Sequence, residues 1–240
     1  MPKLYKQKLA VFDIDGTIFR SSLAVELIHT LVDQGIFPKA ASQELETDYQ
    51  AWLNREGSYN KYLSQLITVF MKYLPGKKES EIQKVSTEIL ETQRGHVYRY
   101  TRNLVHECRQ KKFHLVAVSG SPYFLVSKFA DSLGFNASFG SEFVVKDKVF
   151  TGGVLHIGDT DKLKTLQDYV TKNNLNIDWK GSYAVGDTTS DMSLLSAVGK
   201  PIAFNPNTEL AAMALKKHWT IIVERKDVVY NFTKTKLIQV

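Results

Sequence analysis

The chain predicts an α/β fold, a doubly wound and mostly parallel β-sheet with an inserted α-helical bundle. Three observations predict it. Short apolar runs with the character of buried strands end at Asp13, lie over 113–118, and recur over 182–186, 200–204 and 219–223. Helical patterns separate the later runs, and that alternation calls for parallel strands with helices on both faces. Residues 20–96, in contrast, show only helical periodicity. They are therefore expected to form a separate helical domain, with 1–19 and 97–240 making the α/β core.

The first run, LAVFDIDGTIF over 9–19, stops abruptly at two acids, Asp13 and Asp15, with Gly16 next. Two carboxylates so close repel each other and lose hydration beside a core, so the pattern points to a bound cation or to catalysis. Leu23, Leu27, Ile28, Leu31 and Val32 then form one apolar helical face, closed by Gly35. Leu45, Tyr49, Trp52 and Leu53 make a second face. Tyr59, Leu63, Leu66, Ile67, Phe70 and Leu74 make a third before Pro75-Gly76, and Ile82, Val85, Ile89 and Leu90 a fourth.

A helix over 101–112 leads into FHLVAVSGSP, where a strand over 113–118 meets Ser119-Gly120-Ser121-Pro122 and then a helix over 122–133. Small hydroxyl residues and glycine at such a junction bring backbone N–H groups and a hydroxyl to a phosphate. A plain strand-to-helix turn fits the same residues. Residues 138–158 read as short extended pieces around Gly152-Gly153, a hairpin flap. The helix over 160–173 carries Lys162 and Lys164 near its start, beside the positive end of its dipole, where a cation is either solvated or opposite an anion. Asp159 and Asp161 read as helix caps, because Lys-Leu-Lys lacks the further oxygens of a calcium loop. The strand over 182–186 ends in Gly186-Asp187, with Asp191 four residues on at the start of another helix. A strand over 200–204, a helix over 208–217 and a strand over 219–223 follow. The tail, 224–240, suits either an edge strand or self-association.

A net charge of +6, scattered in short lysine doublets with no long basic run, attracts phosphates of any kind and does not by itself argue for nucleic acid, which is not the expected partner. The single cysteine, Cys108, excludes an internal disulfide framework and fits a reducing compartment. The apolar stretch before Asp13 is too short for a signal peptide, and no stretch reaches transmembrane length, so the expectation is a cytoplasmic protein with no membrane partner. The oligomeric state stays open.

In open α/β sheets ligands bind beyond the carboxyl ends of the strands. Asp13, Asp15, Ser119, Asp187 and Asp191 all fall at such ends. Oxygen ligands without histidine or cysteine suit a hard cation, and Mg2+ needs few protein ligands: Asp13, Asp187 and the carbonyl of Asp15 are the metal candidates. Asp13 is also the candidate nucleophile for an aspartyl-phosphate, with Asp15 as the acid and base. Ser119, the Gly120 N–H and Lys162 are the candidate phosphate ligands, and Asp191 is placed to orient Lys162 or a water on the metal.

Asp13-Ile-Asp15-Gly16-Thr17, Ser119-Gly120-Ser121, Lys162 and Gly186-Asp187-Thr-Thr-Ser-Asp191, in this order, resemble the four motifs of the haloacid dehalogenase (HAD) superfamily. The helical insertion between the first two motifs resembles the cap of its phosphoserine-phosphatase-like branch. Lys162 is preferred to Lys164 because Leu166 follows four residues later, as in the family. The resemblance implies a Mg2+-dependent phosphomonoester hydrolase acting on a small phosphorylated metabolite. Two alternatives remain: a phosphotransferase using the same intermediate, and a non-catalytic protein that retains the fold to bind phosphate or nucleic acid. In phosphoserine phosphatases a glutamate nine residues after the nucleophile meets the substrate amino group, and Ser22 stands there in this chain. That argues against phosphoserine as the substrate, although Glu26 lies one helical turn further. Ser22, Glu26 and Arg55, with Ser21, Tyr59 and Arg99, are the expected substrate-selecting residues of the helical insertion.

Overall fold

The computed structural model describes residues 6–232; the N-terminal residues 1–5 and the last part of the tail, 233–240, lie outside the described residues. Eight strands form one sheet in the order β4-β3-β2-β1-β5-β6-β7-β8. They are β1 (Leu9–Phe12), β2 (His114–Pro122), β3 (Ala137–Lys146), β4 (Val149–His156), β5 (Tyr183–Gly186), β6 (Lys200–Phe204), β7 (Thr220–Arg225) and β8 (Val228–Phe232). The pairs from β3 across to β7 are parallel, and β4 and β8 close the two edges antiparallel.

The helices are α1 (Leu23–Asp33), α2 (Ala40–Leu53), α3 (Tyr59–Tyr73), α4 (Glu79–Gln93), α5 (Arg99–Gln110), α6 (Tyr123–Leu133), α7 (Lys162–Lys172), α8 (Met192–Ala197) and α9 (Thr208–Lys216). The first four stand between β1 and α5 with no named strand among them, as the periodicity predicts.

β1 shows why the sheet is buried on both sides. Successive side chains leave a strand on opposite faces: Ala10 and Phe12 join the apolar cluster on one face, and Leu9 and Val11 the cluster on the other. The first cluster runs without a break from Phe12 and Leu115 through Phe129 to Leu27, Leu66 and Val85, so α1–α4 share their core with one face of the sheet. A second link is backbone to backbone. Gly76 N–H donates to the Phe150 carbonyl at 2.8 Å and Phe150 N–H to the Lys77 carbonyl at 3.0 Å, which ties the α3–α4 connection to β4.

Three expectations shift in detail. The hairpin over 138–158 is present, but its turn is Asp147-Lys148, both with positive φ, and not Gly152-Gly153. Two consecutive left-handed residues suit the twist of a two-residue hairpin; Gly152 instead has φ +86 inside β4, where a Cβ would lie 2.8 Å from the Pro75 side chain. The strand predicted over 113–118 continues to Pro122, with a register shift against β3 between Val118 and Pro122. The tail begins with an edge strand, β8, paired along β7 from Val228 to Phe232.

The chain proceeds from β1 outward through β2 and β3 on one side and then returns to the other side of β1 with β5. The sheet's switch point therefore lies between β1 and β5, where a crevice opens beyond the carboxyl ends of both strands. Asp13 follows the end of β1 and Asp187 the end of β5.

Candidate active site

Asp13 is held by its backbone, which donates to the Val185 carbonyl at 2.9 Å, and its side chain is almost wholly buried. After it the chain folds back on itself. The Ile14 carbonyl accepts from the N–H groups of Ile18 and Phe19, each at 2.9 Å, and Gly16 N–H donates to the Phe19 and Ser21 carbonyls. Gly16 is required twice over: its φ is +75, and a Cβ there would lie 2.1 Å from Asp187 Oδ2.

Asp15 points the other way. Its Oδ1 accepts from Leu23 N–H at 2.6 Å and its Oδ2 from the Ser119 hydroxyl at 2.5 Å, while Ser119 Oγ accepts in turn from Ser121 N–H at 2.9 Å. Asp15 thus joins the end of β1, the start of α1 and the middle of β2. Ser119, expected to face a phosphate, gives its hydrogen to Asp15 in this structure. At Gly120 a Cβ would lie 2.1 Å from Asp159 Oδ2, so the backbone approaches that carboxylate closely.

Lys162 is the first residue of α7 and only 2% exposed, while Lys164 lies on the surface. Its Nζ donates to Asp13 Oδ1 at 2.7 Å and to Asp191 Oδ1 at 2.8 Å, and lies 3.0 Å from Asp159 Oδ1. The lysine is therefore opposite anions, not solvated. Asp161 caps α7 by accepting from Lys164 N–H at 3.0 Å, as expected, whereas Asp159 faces Lys162. Asp191 uses its second oxygen, Oδ2, to accept from the N–H groups of Asp187 and Thr188, both at 3.1 Å. It fixes the loop after β5 and the lysine together.

One carboxylate oxygen from each of Asp13, Asp187 and Asp191 lies within 4.8 Å of the others, a group that can hold a metal ion. Burial raises the Asp13 and Asp187 carboxyls well above the usual carboxylate range; in both, repulsion from the neighbouring acids adds to it and Lys162 opposes it. Burial alone would lower Lys162, but Asp13, Asp191 and Asp159 outweigh it and hold the ammonium well above its ordinary range. Burial also raises Asp15, against its hydrogen bonds from Ser119 and Leu23. Three carboxylates against one buried ammonium leave negative charge uncompensated, and all the donors are oxygen. That donor set fits a hard divalent cation.

A cavity of about 820 Å³, walled by α1, α2, α3 and the loops after β5 and β6, meets this group at Gly16 and Asp187; Asp13, Asp15, Ser119 and Lys162 do not line it. Of the residues expected to select the substrate, Ser21, Glu26, Arg55 and Tyr59 line it. Ser22 does not: it sits at the N-cap of α1 and is buried beneath the wall. Arg99 does not either, because its guanidinium donates to the Asp227 carbonyl at 2.6 Å on the far side of α5. Missed from the sequence were Arg20, His29, Tyr98, Asn205 and Asn207 on the wall, which carry no local pattern. Tyr49 and Trp52, assigned there to a packed helical face, also line the cavity, and Leu53 on the same predicted face is exposed. Cys108 is buried in the apolar core, which pushes its thiol up to about 11 and leaves it unreactive. Among the described residues no helix is long and apolar enough to cross a membrane.

The model of the haloacid dehalogenase-like hydrolase family matches residues 10–196. A phosphoserine phosphatase from Methanocaldococcus jannaschii is 26% identical over 224 residues, covering 92% of this chain and 94% of its own length. Among solved structures, a protein of unknown function from Bordetella pertussis Tohama I superposes with a TM-score of 0.73 at 18% identity, over 90% of this chain and 98% of the other. A phosphoserine phosphatase captured as a phospho-aspartyl intermediate analogue superposes with a TM-score of 0.62 at 20% identity, over 93% and 96%. The sheet order, the carboxylates at its switch point and the match through four-fifths of the chain lead to one conclusion: this chain belongs to the haloacid dehalogenase-like hydrolases and is a phosphoserine-phosphatase-like phosphatase of that family.

Proposed function

We propose that the protein is a Mg2+-dependent phosphomonoester hydrolase that acts through an aspartyl-phosphate on a small phosphorylated metabolite. The observation that carries this reading is the convergence of Asp13, Asp187, Asp191 and Lys162 at the carboxyl ends of β1 and β5. Asp13 attacks phosphorus through a carboxylate oxygen as the bond to the alcohol oxygen breaks, and Asp15 gives that oxygen a proton. In the second displacement Asp15 takes a proton from the attacking water, the bond between Asp13 and phosphorus breaks, and phosphate leaves with Asp13 restored. Lys162 and the Gly120 N–H compensate the charge on the phosphoryl oxygens, and the Ser119 hydroxyl joins them when Asp15 turns from it to take up its acid and base role. Lys162 also holds Asp13 in position.

Asp13, Asp187 and the Asp15 carbonyl, with Asp191 in support, would hold Mg2+, which would supply charge neutralisation for the phosphoryl group. The Asp15 side chain is engaged by Leu23 and Ser119, which supports assigning its carbonyl and not its carboxylate to the metal. α1–α4 serve as the cap over this floor, the 20–96 segment of the chain. With its lone buried cysteine the enzyme suits the cytoplasm.

The test is a screen of phosphorylated metabolites for phosphate release, with and without Mg2+, against Asp13→Asn. We expect release that depends on Mg2+ and on Asp13. Equal release by wild type and Asp13→Asn from every substrate would overturn the nucleophile assignment. Transfer of phosphate to an added alcohol in place of water would make the protein a phosphotransferase.

A further inference from the structure

One part of the cavity wall is aromatic. Tyr49 and Trp52 come from the end of α2, and Tyr59 and Tyr62 from the start of α3. Their centroids lie 5.1–6.1 Å apart, with Trp52 and Tyr62 parallel to within 5° and the other pairs tilted by 44–49°. At these spacings the rings pack on one another, and no group fits between two faces. The cluster is therefore not a cage for an ammonium ion, which needs open faces around a central space. Tyr49, Trp52 and Tyr59 are half-buried and line the cavity, while Tyr62 is buried against them.

Two further features make this wall unlike ordinary core. The Tyr62 hydroxyl is buried and has no hydrogen-bond partner among the described residues, a cost that packing alone does not explain. Arg55, on the loop joining α2 to α3, lines the cavity with φ +65, a conformation that side chains other than glycine seldom adopt. The wall is also continuous with the catalytic floor. Tyr59, Gly16 and Asp187 line the same cavity, and the charges of Asp15 and Asp187 add to burial in raising the Tyr59 hydroxyl. The volume, about 820 Å³, far exceeds what a phosphoryl group and a three-carbon chain occupy.

We infer that the substrate is a phosphomonoester whose alcohol carries a flat aromatic or heteroaromatic ring, which stacks on the Trp52 indole while the phosphate reaches Asp13 by way of Asp187, which lines the same cavity. This rests on the phosphatase reading for the phosphate end and on the aromatic wall alone for the other end. Planar rings stack on aromatic side chains whatever their hydrogen-bonding pattern, so the wall selects a class and not one compound.

The test compares adenosine 5′-monophosphate and pyridoxal 5′-phosphate with phosphoserine and glycerol 3-phosphate. For wild type we expect kcat/KM at least about tenfold higher for the ring esters. In Trp52→Ala the ratio of ring to ring-less kcat/KM is expected to fall about tenfold, and in Trp52→Phe to recover most of the loss. A ratio that Trp52→Ala leaves intact, or ring-less esters preferred by wild type, would overturn the inference. Calorimetric binding of the same esters to Asp13→Asn separates the two readings. Ring esters held at least about tenfold tighter than phosphoserine support the stacking wall even if wild type turns nothing over, and equal binding overturns it even if wild type is an active phosphatase.

Discussion

The Lys162 ammonium lies 2.7 Å from Asp13 Oδ1, and the two side chains are 2% and 5% exposed. A buried pair of this kind is costly to break, because the partner left behind is a charge without compensation. Lys162→Met is expected to destabilise the protein by about 3–5 kcal/mol. It should also lower kcat by about 10² to 10³ through the lost charge on the phosphoryl oxygens. Chemical denaturation and turnover on one substrate check both, and a variant as stable and as active as wild type would remove Lys162 from the site.

Gly16 and Gly35 make a controlled comparison. Their φ values are +75 and +71, yet a Cβ on Gly16 meets Asp187 while one on Gly35 meets nothing within 4 Å. Alanine at either position carries the left-handed strain of about 1–2 kcal/mol. Only Gly16→Ala displaces Asp187, and a misplaced catalytic group costs on the order of 10²-fold in rate. A larger loss of both stability and kcat in Gly16→Ala than in Gly35→Ala is the expected result; equal activities would show that Asp187 needs no fixed place.

The Thr101 hydroxyl, buried at the start of α5, donates to the Thr17 carbonyl at 2.9 Å, and the Thr17 hydroxyl is directed at Asp187 Oδ1, 3.4 Å away. Thr101→Val keeps the shape and leaves a buried carbonyl unpaired, at a cost of about 1–3 kcal/mol. Urea unfolding should show a lower midpoint with an unchanged slope. No change in midpoint would mean that the carbonyl finds another donor.

Metal binding is measurable without turnover. A cation that binds the folded chain stabilises it by about 2.7 kcal/mol at a concentration a hundredfold above its Kd. Thermal unfolding should therefore rise with added Mg2+ and fall back with chelator, and Asp187→Asn should abolish the shift. A shift of the same size in Asp187→Asn would place the cation elsewhere.

Much of the fold was legible because its signals are local. The run ending at Asp13 and the run over 182–186 announce buried strands by composition alone, and α1–α4 announce themselves by period. The positions of Asp13, Asp15, Asp187 and Asp191 followed, since each lies within a few residues of such a strand end. Ser22, Arg99 and the aromatic wall were not legible. An aromatic at helical spacing looks the same whether its face meets a core or a cavity. Trp52 lines the cavity together with residues of α1 and of the loops after β5 and β6, and Ser22 is buried next to Leu23, whose N–H is anchored on Asp15.

By itself, then, the sequence determined the order of strands and helices and the acids, lysine and glycines at the strand ends, because burial and turn chemistry are written in neighbouring residues. Tertiary structure decided what those groups face. The crossing of the chain between β1 and β5 brings Asp13 to Asp187, Glu224 from β7 caps the N–H groups of Arg99 and Tyr100 at α5, and the α2–α3 rings come to line the same cavity as Asp187. Each of these joins residues far apart in the chain, and contact at that separation depends on how whole elements pack, which no local pattern records.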